Sequence, residues 1–138
     1  MKRGQALTEF ALAVPISCAL MLLTFEAGRL LITWDYLIEG SREATRTAVL
    51  PSTTSTTPVV NAALNLTAWA GVTAPNVTVS KSGSAVSGAF TKQRGDVMAV
   101  SIAYTYTVFI ARDFGPLWPG LPFASLPITV HTQMRAEG

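Results

Sequence analysis

Few residues here have the chemistry to matter, and the chain keeps them far apart. Glu9 stands at the head of an apolar run, and from Phe10 through Phe25 the only ionisable side chain is the Cys18 thiol. A charge at the centre of a membrane helix costs roughly 2.5–3.5 kcal/mol, and less toward the interface. Glu9 therefore has two readings. It is an interfacial acid in a first helical turn, helped by the helix dipole, or it pairs with a cation supplied by another subunit. Glu26 and Arg29 lie three apart and share one helical face. They form a pair that snorkels at the membrane edge, or they contact a partner helix. Gly28 between them permits close approach, although one glycine is not a GxxxG motif.

Catalytic chemistry finds no comparable footing. Cys18 lies in the apolar run and His131 in an alternating, strand-like stretch, so a Cys/His pair is not expected. The carboxylates fall mostly on the N-terminal helical stretch without metal-ligand spacing, and no glycine loop is built to cradle phosphate. Neither an enzyme, a cofactor nor a metal site is expected. Arg94-Gly95-Asp96 spells an adhesion tripeptide and equally a glycine-centred turn into a strand. Asn65-Leu66-Thr67 and Asn76-Val77-Thr78 match the N-glycosylation triplet, too common a pattern to assign a role.

The elements that must position these residues begin with one helix. Phe10 to Trp34 is apolar apart from Glu26 and Arg29, long enough to cross a bilayer, which needs about 20 residues. Lys2 and Arg3 set the N-terminus on the cytoplasmic side. Pro15 predicts a kink near residues 11–15. Beyond the span, Leu30, Leu31, Trp34, Leu37 and Ile38 recur at helical spacing while Asp35, Glu39, Arg42, Glu43 and Arg46 mark a wetter side. The helix is expected over 5–50, roughly 70 Å at 1.5 Å per residue, with Pro51 as its stop. Gly40 is its weak point, where a break fits.

The opening string Gly4-Gln5-Ala6-Leu7-Thr8-Glu9-Phe10 follows a short basic leader, with Glu at the fifth place after glycine and an apolar helix behind it. It resembles the class III signal of type IV pilin-like proteins. With Ala11-Leu12, Pro15, Glu26-Ala27-Gly28-Arg29, Ser41-Arg42-Glu43-Ala44 and the ending Gln133-Met134-Arg135-Ala136-Glu137, it looks more narrowly like the TadE-like family. Those are minor pilins or pseudopilins of tight adherence pili. The likeness is dense over 4–50 and loose beyond, and the family commonly carries an aromatic where Ala27 stands. The resemblance implies cleavage by a prepilin peptidase between Gly4 and Gln5. It also implies a helix kept for assembly through Glu9 and Phe10, with Glu9 meeting the new α-amino group of Gln5 on a neighbour. Implied partners are other pilin or pseudopilin subunits, the peptidase, the inner-membrane assembly machinery and membrane lipid.

Composition agrees with one anchor and one small domain. The 138 residues are 49% hydrophobic and only 13% charged, against about 25% charged in an average soluble domain. A net charge of +2 is too small to argue for nucleic acid binding, and no nucleic acid partner is expected. The lone cysteine leaves no intrachain disulfide, so the head stands on its core alone. Residues 51–58, Ser/Thr-rich between two prolines that bar a helix through the stretch, read as a linker. A second helix is expected from Val59 to Ala70, with Val60, Ala63, Leu64 and Ala68 on its apolar face and Gly71 as its stop. Strands are expected at Asn76–Ser80, Val97–Phe109 and Leu126–Met134, with a Gly/Ser-rich loop after the first. In the long strand Met98, Val100, Ile102, Tyr104, Tyr106 and Val108 should face the core. The apolar loop around Trp118 is read as a lid over the sheet edge.

The fold class is α+β, a long N-terminal helix packed on a small antiparallel sheet. The divisions are a leader at 1–4, a helix at 5–50 crossing the membrane at about 10–34, a linker at 51–58 and an extracytoplasmic head at 59–138. The functional expectation is a pilin-like minor subunit held in the bacterial inner membrane. The alternative is a single-span binding module that is neither processed nor polymerised.

Overall fold

The computed structural model describes residues 2–109 and 125–136. The apolar loop at 110–124, with Trp118, lies outside the described residues. Helix α1 (Lys2–Val49) runs 48 residues without interruption, and Pro15 sits inside it without ending it. Threonines in α1 satisfy their own hydroxyls on the turn behind: Thr24 Oγ1 donates to Leu20 C=O at 2.9 Å and Thr33 Oγ1 to Arg29 C=O at 2.9 Å.

Helix α2 (Thr56–Thr67) starts three residues earlier than its sequence suggests. Pro58 is no barrier there, because the missing N–H falls in the first turn, where it has no helical partner anyway. The buried face of α2 is Val59, Ala63 and Thr67, an i, i+4, i+8 stripe one residue off the expected one. Val60 and Leu64 are only partly buried at its flank. A short 3-10 turn (Ala68–Ala70) follows, closed by Gly71 at φ 88°. A second 3-10 turn (Ala74–Asn76) is locked by Thr73, whose backbone N–H and hydroxyl both donate to Asn76 Oδ1.

The sheet has four strands: β1 (Val77–Lys81), β2 (Ser84–Val86), β3 (Val97–Thr107) and β4 (Ser125–Arg135). Their order is β2-β1-β3-β4, every pairing antiparallel. The sequence expectation lacked β2, which sits in the stretch read as loop. Three residues between glycines and serines carry no alternation to read, and β2 exists because the Ser82-Gly83 turn folds it back on β1.

Helices α1 and α2 cover one face of the sheet. The core between the layers holds Leu37, Ala44 and Ala48 of α1, Val59 and Ala63 of α2, and Met98, Val100, Ile102 and Tyr106 of β3. Val77 and Val79 of β1, Ile128 and Val130 of β4, and Val72 and Phe90 from the connections join it. The even-numbered set of β3 therefore points inward, as its greater apolarity requires.

Gly40 is no break. A Cβ there would lie 2.6 Å from Thr67 Cγ2 and 3.3 Å from Ala63 C=O. The glycine lets α2 cross α1 at close range. The Ser/Thr stretch after Pro51 is also tied down: Thr53 is buried, Phe90 N–H donates to Thr54 C=O, and Ser55 bridges Ala89. Lys92 reaches back over the end of α1, donating to Ala48 C=O at 2.9 Å and to Leu50 C=O. A cation on the last carbonyls suits the negative pole of the helix.

Candidate functional site: the apolar stem and its junction with the head

From Gly4 to Phe25 every residue of α1 is exposed. This stem includes Leu7, Phe10, Leu12, Leu20, Met21 and Phe25, most of them well over half exposed. At 1.5 Å per residue it is roughly 33 Å long, close to the ~30 Å hydrocarbon core of a bilayer. α1 contains the one helix long and apolar enough to cross a membrane among the described residues. Such a surface is untenable in water for a lone chain, so something apolar must surround it.

Gly4, Gln5, Glu9 and Phe10 all lie at the far end of the stem. A Cβ on Gly4 would meet nothing within 4 Å, so its backbone is open to approach. Gln5 Nε2 donates to Glu9 Oε1 at 3.2 Å, one turn away. Thr8 Oγ1 donates to Gln5 C=O at 2.8 Å. Among the described side chains of this one chain, Glu9 meets a neutral amide and no cation.

Glu26 and Arg29 behave otherwise. Arg29 Nη2 lies 3.0 Å from Glu26 Oε1, the expected i, i+3 pair. Yet Glu26 is 8% exposed, and its partners come from the chain's own head. Tyr106 Oη donates to Glu26 Oε1 at 2.8 Å and the Phe109 backbone N–H donates at 3.1 Å. Arg29 Nε donates to Tyr106 Oη at 2.9 Å, and its Nη2 donates to Thr107 C=O at 2.8 Å. The guanidinium also stands 5.0 Å from the Tyr106 ring centre. The expected helical pair is present, and it is also bonded to the chain's own head. It is a clamp that fastens the end of β3 to α1 where the stem begins. Burial, and then the Glu26 carboxylate, push the Tyr106 phenol up, so it stays a donor at neutral pH.

Sequence reasoning missed the clamp because a helical pair reads as complete in itself. The available signal was Tyr106, a phenol on the inward set of β3 that needs a polar partner once buried. Glu26 Oε2 is buried without a hydrogen-bond partner. One oxygen takes all three donors, and leaving the second unpaired is a cost the clamp must offset.

At the opposite pole the Arg94-Gly95-Asp96 turn is not a presented adhesion motif. Asp96 Oδ2 accepts the Gln93 N–H at 2.7 Å and pairs with Lys81 Nζ at 3.0 Å. The Gln93 N–H, then Lys81, hold its carboxyl below the usual range. The carboxylate serves the turn. His131 lies on the outer sheet face, where its Nδ1 meets Ser101 Oγ at 2.8 Å.

The comparison with protein families matches the N-terminal helix that carries this stem, not the head clamped to it. Residues 4–46 match the family model of TadE-like protein. No curated protein and no solved structure matches the chain. The TadE-like segment covers the stem, the clamp residues of α1 and most of the helix beneath the sheet. The match and the apolar helix together fit a pilin-like component of tight adherence machinery anchored in a membrane.

Proposed function

We propose that this chain is a minor pilin or pseudopilin that assembles through its stem into a tight adherence pilus or primes that pilus. Its role is structural, without catalysis. The observation that carries the reading is the bare stem, exposed on all sides over a bilayer's thickness and headed by Glu9. In the membrane, lipid covers that surface; in a bundle of like helices, neighbours do. On this reading the span lies on the bare stem, overlapping the expected 10–34 over 10–25, with one face of α1 covered by the head from Glu26 on.

A prepilin peptidase cuts between Gly4 and Gln5, and the head stays on the outer side of the inner membrane. The new α-amino group of Gln5 meets Glu9 of a neighbouring copy. Inside an apolar bundle a chain one step out of place leaves that carboxylate unpaired, which is costly and so fixes register. Glu9→Ala should insert normally and lose most assembled pili, read by shearing and immunoblotting of surface fractions. Wild-type pilus yield in that variant, or a chain recovered from membranes with Met1 intact, would refute the reading and favour an unprocessed single-span binding module.

A further inference from the structure

Among the described residues the sheet has one long unpaired edge. Among the described residues nothing pairs with the outer side of β4, which runs 11 residues with no Lys, Arg, Asp or Glu before its last residue, Arg135. Proteins normally blunt such an edge with lysines, bulges or a short strand, because it templates pairing with another chain. Here Pro127 and, at the strand's last position, Arg135 are the devices of that kind.

The direction of each backbone group follows from two bonds. Ser82 N–H donates to Val97 C=O at 2.7 Å, so odd residues of β3 face β1. Ala136 N–H donates to Asp96 C=O at 2.8 Å, so even residues of β3 face β4. On β4 the even residues are then spent on β3, and Thr129, His131 and Gln133 turn their N–H and C=O outward. Pro127 belongs to the outward set, where its missing N–H costs no bond in this sheet. On the other edge, Ala85 of β2 is the outward residue by the same alternation.

We infer that heads of neighbouring copies join edge to edge, β4 of one against β2 of the next, into one continuous antiparallel sheet. This rests on the proposed function, which brings copies side by side. The occupant follows from strand polarity. β4 advances alongside α1: its start pairs Thr107, which Arg29 holds, and Thr132 meets Thr45 further up the helix. Two β4 edges paired antiparallel would therefore send their stems in opposite directions, which one membrane forbids. With four antiparallel strands, β4 and β2 run oppositely within one head. Joined β4 to β2, all stems point the same way.

The levels match as well. Ala85, Ser80, Ala99 and Gln133 lie in one row across the sheet. A neighbour at the same height sets its Ala85 opposite Gln133, both with outward backbone groups. The layers stay in step too: four strands at about 4.8 Å span ~19 Å, and two helices at about 10 Å cover the same width. The contact is head to tail, so it propagates along rings or helical filaments.

The test uses the full-length chain in a Cys18→Ser background, in membranes with the assembly machinery present. Two tagged copies are co-expressed, one with Ala85→Cys and one with Gln133→Cys, then mildly oxidised. Directly paired residues stand about 5.5 Å apart at Cα, within disulfide reach. A mixed disulfide at least fivefold above either copy alone is expected. Ala85→Cys with Thr129→Cys, four residues or ~13 Å out of row, should stay at background. The same preparation is N-terminally sequenced. Chains starting at Gln5 without the mixed disulfide overturn edge joining and leave the processing reading standing. Chains starting at Met1 without it overturn both. Equal yields from the in-row and out-of-row pairs also overturn edge joining.

Discussion

Gly40→Ala isolates the contact on which the two helices of the head depend. In a free helix the change is favourable by about 0.8–1.0 kcal/mol. In this fold the new methyl group would sit 2.6 Å from Thr67 Cγ2 and 3.3 Å from Ala63 C=O. Carbon atoms prefer about 3.5–4.0 Å, so Thr67 would have to give way by about an ångström. It has little room, being fully buried with its hydroxyl donated to Ala63 C=O at 2.8 Å. Overpacking of this kind costs about 1–3 kcal/mol, and the second, backbone contact argues for the upper part. Net of helix propensity, the head should lose about 1–2 kcal/mol. For a domain this small, that is a fall in Tm of roughly 5–10 °C, followed by circular dichroism of the full chain in detergent. Thr67→Ser removes the clashing methyl and keeps the hydroxyl. Alone it should destabilise slightly; added to Gly40→Ala it should restore most of the lost Tm. A Gly40→Ala chain that melts at or above the parent, or that gains nothing from Thr67→Ser, would refute the close-approach account.

Two further outcomes follow from other polar contacts. Tyr106→Phe keeps the ring but takes one donor from the buried Glu26 carboxylate, and should cost about 1–3 kcal/mol by the same melt; no change would mean the clamp holds nothing. Asp96 has its carboxyl pKa lowered in the folded head by the Gln93 N–H and Lys81, so its contribution is complete above the ordinary carboxyl range near pH 4 and fades as pH falls through the depressed folded value. Asp96→Asn should flatten that acid limb of the stability curve, and an unaltered limb would remove Asp96 as its source.

Much of the architecture could be read without coordinates, for reasons particular residues make plain. The stem is legible because sixteen positions from Phe10 to Phe25 carry no charge, and only a helix can hide its own backbone in lipid. The inward face of β3 is legible because strand alternation is a local property that needs no knowledge of neighbours. Errors gathered where a residue's meaning depends on what lies across from it. Gly40 looked like a flaw because helix propensity considers the helix alone. Pro58 looked like a barrier because its position within the first turn of α2 could not be fixed. Glu26 and Arg29 looked complete because their partners in the head are some eighty residues away.

The amino-acid order by itself determined that one apolar helix leads the chain, that an acid heads it, and that a small mixed domain follows. Those properties depend on composition and short-range periodicity, which the chain carries unfolded. Only the tertiary structure decided where the stem ends, because Glu26 becomes a boundary when Tyr106 and Phe109 close over it. It alone also decided which strand lies at the sheet edge among the described residues and which way that strand runs. Both depend on pairing between distant segments, and pairing is fixed when the hydrophobic faces of β3, α1 and α2 find one another and exclude water.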